Sequence, residues 1–206
     1  MPRIYFCDME NFEHLYEESI VLLPQKRKEK AEKLINKNQA LLSAVSGLML
    51  RNVLGITKDE QLSYNEHGKP YLEHGLCFSL SHSRKFAVLA VSEDEIGIDI
   101  EMNRDINEGI MNRCFLDDEA EFAKMSTKNY LRIWTAKEAV LKLLGTGFSF
   151  SPKNFSVFPF DGEHEINGVK MRFFCSKLGD VPLTAAYCGD ENDFVIRELL
   201  PEDLIY

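Results

Sequence analysis

The sequence lacks the features that mark exported, disulfide-bonded or membrane-spanning chains. Its five cysteines are odd in number and scattered without a CxxC pair, which argues against a disulfide framework and against a closed zinc site. No apolar run approaches the roughly 20 residues that cross a bilayer. The N-terminal segment reaches Asp8 too early for the apolar core of a signal peptide. We therefore expect a soluble, cytoplasmic protein.

Positive charge is also scarce, because 24 Lys and Arg face 33 Asp and Glu and give a formal net charge of −9. This balance disfavours nucleic acid and anionic membranes as partners, so an anionic ligand needs a local basic pocket. The sequence has no P-loop, no GxGxxG and no GxSxG, which disfavours the usual kinases, dehydrogenases and hydrolases. Hydrophobic residues make up 45% of the chain, enough for a globular core.

The order of predicted elements is helix then strands, twice over. Residues 24–54 are predicted to form one long helix or two, with basic first turns, and strands follow at 61–64, 70–72, 77–80, 86–92 and 96–101. A second helix is predicted at 129–144, followed by strands at 155–158, 169–174, 183–188 and 194–199. We therefore predict an α+β fold with two similar halves, residues 1–102 and 103–206, each a helix with a small antiparallel sheet.

Two carboxylates share one face of a predicted strand. In Ile96-Gly97-Ile98-Asp99-Ile100-Glu101 the isoleucines alternate with the other residues, so Asp99 and Glu101 point the same way. One interpretation is a half-buried strand with a solvated acidic face. The other is a site for a hard cation, because adjacent carboxylates repel each other unless they are exposed or bridged by Mg²⁺ or Mn²⁺.

The second long helix carries charge on its apolar side. At about 100° per residue, Lys137 and Glu138 fall within the apolar arc, and Lys142 lies one turn beyond Glu138 on its flank. A charge that faces the core is costly unless it is paired. Lys137 could extend its ammonium to solvent while Glu138 pairs with Lys142. Alternatively, all three charges face a cleft that holds a metal-bound diphosphate.

Two shorter motifs are weaker signals. Ser81 and His82 end the predicted strand Phe78-Ser79-Leu80-Ser81-His82-Ser83 with groups that can bind phosphate, although a surface turn has the same composition. Gly68-Lys69-Pro70 is a rigid turn that carries a cation, and most such turns have no further role.

Taken in chain order, these motifs, with Trp134-Thr135-Ala136-Lys137-Glu138-Ala139-Val140-Leu141-Lys142 and Gly145-Thr146-Gly147, resemble the signature of the 4′-phosphopantetheinyl transferases of the surfactin-synthetase-activating type. The resemblance implies two α+β halves related by a pseudo-twofold axis, with coenzyme A and Mg²⁺ in the cleft between them. It implies transfer of 4′-phosphopantetheine from coenzyme A to a serine of an acyl or peptidyl carrier protein, with release of adenosine 3′,5′-bisphosphate. The carrier could serve fatty-acid, polyketide or nonribosomal peptide synthesis.

The resemblance also assigns roles to individual residues. The expected metal ligands are Asp99, Glu101 and Glu138, and the expected catalytic groups are Glu138 as a base and Lys142 as the partner of the bridging oxygen. The expected coenzyme A contacts are Arg27, Lys30, Gly68, Lys69, Pro70, Ser81, His82 and Lys137. Because two halves in one chain can build a complete site, we expect a monomer.

One segment departs from the family pattern. Where the family has a further arginine for the 3′-phosphate of coenzyme A, this chain has Ala40-Leu41-Leu42-Ser43. Two rival functions stay open at this point. One is a Mg²⁺-dependent hydrolase of a nucleotide diphosphate such as coenzyme A, which would use the same acids. The other is a non-catalytic protein whose acidic surface binds a partner.

Overall fold

The computed structural model describes residues 1–102, 105–191 and 193–206, and within them ten strands and seven α-helices form the predicted α+β fold. The strands are β1 (Arg3–Asp8), β2 (Ser63–Tyr64), β3 (Pro70–Tyr71), β4 (Cys77–Ser83), β5 (Phe86–Ser92), β6 (Ile96–Ile100), β7 (Glu163–Ile166), β8 (Val169–Leu178), β9 (Val181–Tyr187) and β10 (Val195–Glu198). The helices are α1 (Tyr16–Val21), α2 (Gln25–Glu32), α3 (Lys37–Leu54), α4 (Glu108–Cys114), α5 (Asp117–Lys124), α6 (Thr127–Leu144) and α7 (Pro201–Leu204). None of these helices combines the length and the apolar character that a bilayer span requires.

The described strands form two four-stranded sheets and one short hairpin. The first sheet has the order β10-β1-β5-β4, the second has the order β6-β9-β8-β7, and β2 pairs with β3. The pairs are antiparallel, as predicted, except that β10 runs parallel to β1. The last strand of the chain therefore completes the sheet that the first strand begins.

The predicted boundary between residues 102 and 103 falls at Asn103, which lies outside the described residues. On either side of this boundary the two sheets exchange strands. β6 precedes the boundary but pairs with β9, and β10 follows it but pairs with β1. The division of the chain at this position therefore does not coincide with the division into sheets.

The sheets lie face to face between two sets of helices. Along β5, Ala87 and Leu89 join the core under α3, whereas Val88 and Ala90 pack in the layer between the sheets. The isoleucines of β6 enter that same middle layer. Because both faces of these strands are buried, their sequences are almost continuously apolar. Helix α6 covers the outer face of the second sheet.

Capping residues explain where the two longest helices begin and end. Asn36 caps α3 by accepting from the Gln39 N–H at 3.1 Å, and Ser126 caps α6 by accepting from the Asn129 N–H at 3.2 Å. Gly55 and Gly145 end the two helices with φ of 70° and 66°, a left-handed conformation that favours glycine. The first predicted helix is thus two helices, separated just before the cap at Asn36.

Residues 155–158 are not a strand, contrary to the prediction. A 3₁₀ turn at Pro152–Asn154 precedes them. The carbonyl oxygens of Pro152 and Phe155 accept from the Lys137 ammonium instead of from a neighbouring strand. The apolar residues Phe155 and Val157 still enter the core beneath α6, which accounts for the strand-like pattern.

Gly97 allows α6 to lie directly on β6. A Cβ at this position would overlap the Ala139 carbonyl oxygen and the Leu143 nitrogen, which are backbone atoms of the helix. Glycine is therefore needed here for close approach and not for a turn. Since Asp99 lies on the same face of β6 as Gly97, this contact sets the distance between the strand acids and the helix.

We expect Gly97→Ala to lower the free energy of unfolding by about 2 kcal/mol, because overpacking against backbone atoms forces the helix away from the sheet. Urea titration followed by circular dichroism measures the change. Gly109→Ala is the matched control, because Gly109 lies in α4 with open space around it apart from the Asn107 side chain. An equal effect of both substitutions would contradict the close-approach argument.

Candidate active site

The candidate site is built on a seam between the edge strands β4 and β6, where the two sheets meet. Alternate serines of β4 cross the seam. The Ile98 N–H donates to Ser79 Oγ at 3.1 Å, and the Ser81 hydroxyl donates to Asp99 Oδ1 at 2.7 Å. The Ser83 hydroxyl donates to Glu101 Oε1 at 2.8 Å. The serines thus hydrogen-bond the edge of β6 and fix both of its acids.

A cavity of about 670 Å³ opens beside this seam, between α2, α3, β4, β6 and α6. Most of the residues that the sequence predicts for the site line it: Arg27, Lys30, Pro70, Ser81, His82, Asp99, Glu101, Glu138 and Lys142. The cavity is lined by the cations Arg27 and Lys30 of α2 and by the acids Asp99 and Glu101 at β6. Residues that are distant in sequence therefore line one cavity.

The acidic side of the cavity centres on Asp99, which is only 6% exposed. The Lys142 ammonium donates to Asp99 Oδ1 at 2.7 Å and to Ser81 Oγ at 2.8 Å. All five residues of β6 are buried, so the interpretation of a half-buried strand with a solvated acidic face is wrong for Asp99. Burial of a carboxylate is tolerated here because an ammonium and a hydroxyl compensate its charge.

The donor set is compatible with Mg²⁺ in an open site. Asp99, Glu101 and Glu138 all line the cavity and offer hard oxygen donors. Among the residues that the structure describes, no three His, Cys, Asp or Glu side chains are close enough to enclose an ion by themselves. Mg²⁺ commonly binds through one or two carboxylates, water and substrate phosphates. The residues therefore fit a metal whose coordination a phosphorylated ligand completes.

The basic side of the cavity is suited to an anion. Burial lowers the pKa of Arg27, and burial together with the charge of Arg27 lowers the pKa of Lys30. Burial and the nearby Lys142 ammonium lower the pKa of His82. In each case burial disfavours the charged form, and a bound phosphate would favour it. Arg27 Nε and Ser46 Oγ are buried and have no hydrogen-bond partner in the described part of the chain.

Helix α3 also contributes to the cavity, which was not predicted from the sequence. Gln39, Ser43 and Ser46 all line it, and they are spaced as one polar stripe on a helix whose middle is largely apolar. That polar stripe was visible in the sequence and could have indicated a cavity-facing side. Ser43 belongs to the segment in which the family arginine is missing. Trp134 also lines the cavity. It belongs to the helix motif but was not among the predicted site residues.

The Gly68-Lys69-Pro70 turn lines a second cavity of about 300 Å³, which shares Pro70, Glu138 and Lys142 with the first. The Lys69 ammonium donates to the Leu143 carbonyl at 2.8 Å and to Glu95 Oε2 at 2.9 Å. It therefore caps the C-terminal end of α6, where a cation is favourable. The turn is thus joined to α6, and the ammonium of Lys69 is already engaged in this contact.

Lys137 lies away from the cavity, in the core of the second half. Its ammonium is 2.8 Å from Glu119 Oε2, and the two side chains are 1% and 0% exposed. It also donates to the carbonyls of Pro152 and Phe155. The prediction that Lys137 contacts coenzyme A is therefore wrong, as is the alternative that its ammonium reaches solvent. The ion pair joins α5, α6 and the segment after the 3₁₀ turn.

Comparison with known proteins shows that part of the chain is similar to one enzyme family. The model of the 4′-phosphopantetheinyl transferase superfamily matches residues 95–187, which include β6 and α6. The 4′-phosphopantetheinyl transferase gsp of Aneurinibacillus migulanus is 30% identical over 131 residues, 59% of this chain and 55% of that protein. The 4′-phosphopantetheinyl transferase Sfp of Bacillus subtilis (strain 168) is 30% identical over 146 residues, 65% of each chain.

A third relative, the 4′-phosphopantetheinyl transferase HetI of Nostoc sp. (strain PCC 7120 / SAG 25.82 / UTEX 2576), is 36% identical over 115 residues, 49% of this chain and 48% of that protein. The chain thus spans roughly half to two thirds of the length of these curated relatives.

We expect Lys137→Met to lower the free energy of unfolding by about 3–5 kcal/mol, because it leaves the buried Glu119 carboxylate without its counter-charge. Urea unfolding measures the loss. Lys128→Met is the control, since Lys128 is an exposed residue of the same helix and its removal changes the net charge equally. If Lys137→Met lowers the free energy of unfolding no more than the control does, the buried ion pair is not required for stability.

Proposed function

We propose that the chain, whose residues 95–187 match the model of the 4′-phosphopantetheinyl transferase superfamily, transfers the 4′-phosphopantetheine arm of coenzyme A to a serine of an acyl or peptidyl carrier protein. The observation that carries the proposal is the separation of charge within one cavity. Coenzyme A has a 3′-phosphate at its nucleotide end and a diphosphate next to the arm. The 3′-phosphate suits Arg27 and Lys30, and the diphosphate suits the Lys142 side with its carboxylates.

The transfer is a phosphoryl displacement on the diphosphate. The carrier serine oxygen forms a bond to the phosphorus next to the pantetheine arm, and the bond from that phosphorus to the bridging oxygen breaks. Adenosine 3′,5′-bisphosphate leaves, and the serine proton passes to a base. Mg²⁺, when bound by one or two of the carboxylates of Asp99, Glu101 and Glu138, would neutralise charge on the phosphoryl oxygens. Catalysis of this kind depends mainly on positioning and electrostatic stabilisation.

Glu138 is the candidate base, because it is the carboxylate that borders both cavities. It can therefore face the diphosphate in one cavity and a serine that approaches from the other. Lys142 also borders both cavities and can neutralise the charge that grows on the bridging oxygen. Ser81 holds Asp99 and Lys142 in register through its hydroxyl, which accepts from the lysine and donates to the acid. Gly68 and Pro70 provide an apolar wall for the adenine.

The remaining features of the proposal concern partners and compartment. One chain supplies every element around the cavity, which supports a monomeric enzyme. All five cysteines are free thiols, which suits the reducing cytoplasm that we propose as its compartment. The relatives are named transferases, so we do not adopt the hydrolase alternative.

The decisive experiment incubates the purified chain with coenzyme A, Mg²⁺ and an apo carrier protein and follows the carrier by intact mass spectrometry. We expect one phosphopantetheine to be added to the carrier. Glu138→Gln should lower kcat by roughly 10²–10⁴-fold, the range for loss of a general base. Glu121→Gln, an exposed acid on α5, is the matched control and should leave kcat unchanged.

A second product measurement separates transfer from hydrolysis. We follow adenosine 3′,5′-bisphosphate in the absence of any carrier. Release at the rate of transfer would identify the rival hydrolase, and failure to modify several acyl and peptidyl carriers would refute the transferase.

The basic end of the cavity generates a separate prediction about the 3′-phosphate. Lys30→Met should weaken binding of coenzyme A by roughly tenfold or more, because a charge-assisted hydrogen bond contributes about 1.5–3 kcal/mol. Binding of dephospho-coenzyme A should not change. Calorimetry measures both ligands, and Lys26→Met, on the same helix but outside the cavity, is the control. If Lys30→Met weakens the binding of coenzyme A and of dephospho-coenzyme A equally, Lys30 does not contact the 3′-phosphate.

A further inference from the structure

The Lys142 ammonium contacts a carboxylate oxygen of Asp99 that a metal ion would also bind. Its ammonium is 2.7 Å from Asp99 Oδ1, and the Ser81 hydroxyl donates to the same oxygen at 2.7 Å. That oxygen therefore accepts from two donors at once. An ammonium at this distance also repels a divalent cation that approaches the same carboxylate, and the repulsion is strong in a buried site. The contact as it stands disfavours binding of a metal by Asp99.

The carboxylate cannot simply be left without a counter-charge. The Asp99 side chain is 9% exposed, so loss of the lysine without replacement would leave a buried, uncompensated charge. A cation must stay near Asp99 at every stage, either the ammonium or a metal ion. The two cations repel each other when both are next to Asp99, and additional negative charge that enters the cavity lowers this repulsion.

Lys142 is less enclosed than Lys137, the other lysine of the same helix motif. The Lys142 side chain is 30% exposed and borders both cavities. Lys137 is 1% exposed and is enclosed by a carboxylate and two carbonyl groups. The ammonium of Lys142 can therefore swing from Asp99 toward the space that both cavities share, while its backbone stays in α6.

We propose that Lys142 acts as the cation of Asp99 until coenzyme A binds, and then exchanges its position with Mg²⁺. This inference rests on the proposed function for the identity of the anion that triggers the exchange. The negative charges of the diphosphate compensate both cations, so the ammonium moves to the phosphoryl oxygens and Asp99 becomes available to the metal. The exchange makes metal binding conditional on the co-substrate and delivers Lys142 to the bond that breaks.

The test measures Mn²⁺ binding by electron paramagnetic resonance of the free ion, without coenzyme A or carrier protein. We expect Lys142→Met to bind Mn²⁺ about tenfold more tightly than the wild-type chain, a typical size for coupling between two ligands. Lys128→Met removes the same charge from the exposed start of α6 and should leave the affinity within about twofold of wild type. Circular dichroism confirms that each variant is folded.

Unchanged or weaker Mn²⁺ binding by Lys142→Met would overturn the inference, and so would an equal gain in Lys128→Met, which would reflect net charge alone. If Lys142→Met does not fold, Lys142→Gln removes the charge but keeps a hydrogen-bond donor for Ser81, and the same gain is expected. Because neither coenzyme A nor a carrier is present, a failed transfer assay would refute the proposed function while leaving this binding result intact.

Discussion

The serine seam between β4 and β6 is the contact on which the arrangement of the site depends. Two sheet edges that meet without a backbone ladder leave polar groups that need partners. Serine hydroxyls at alternate positions of β4 provide these partners, and two of them bind the acids of β6 directly. The seam therefore joins the two sheets and orients the carboxylates with the same hydrogen bonds. Helix α6 then lies on β6 at the distance that Gly97 permits.

The cavity beside this seam brings cations and carboxylates close together. The chain carries a formal net charge of −9, yet α2 directs cations toward the cavity, where burial lowers the pKa values of Arg27 and Lys30. Across the cavity, Asp99 is buried against Lys142. A ligand with a phosphate at one end and a diphosphate at the other could place negative charge next to the buried cations of α2 and next to Lys142.

Sequence patterns predicted the elements that carry the site with good accuracy. The caps at Gly55 and Gly145, the long helix that is now α6, and the alternation in β6 all correspond to the structure, because each depends on interactions between residues close in the chain. The failures involve distant partners. Residues 155–158 have the composition of a strand, but their segment packs under α6 and its carbonyl groups bind Lys137. The pairing of β10 with β1 joins opposite ends of the chain.

What the sequence determined by itself is the chemical inventory: two acids on one strand face, a carboxylate and two lysines on one helix, and a basic first helix. Periodicity then established which of these residues share a face. Only the tertiary structure decided their partners. Lys137 and Lys142 have the same chemistry and belong to the same motif, but one is enclosed by Glu119 and the other contacts Asp99. The physical reason is that a side chain's charge compensation depends on neighbours brought together by packing, and helical periodicity carries no information about them.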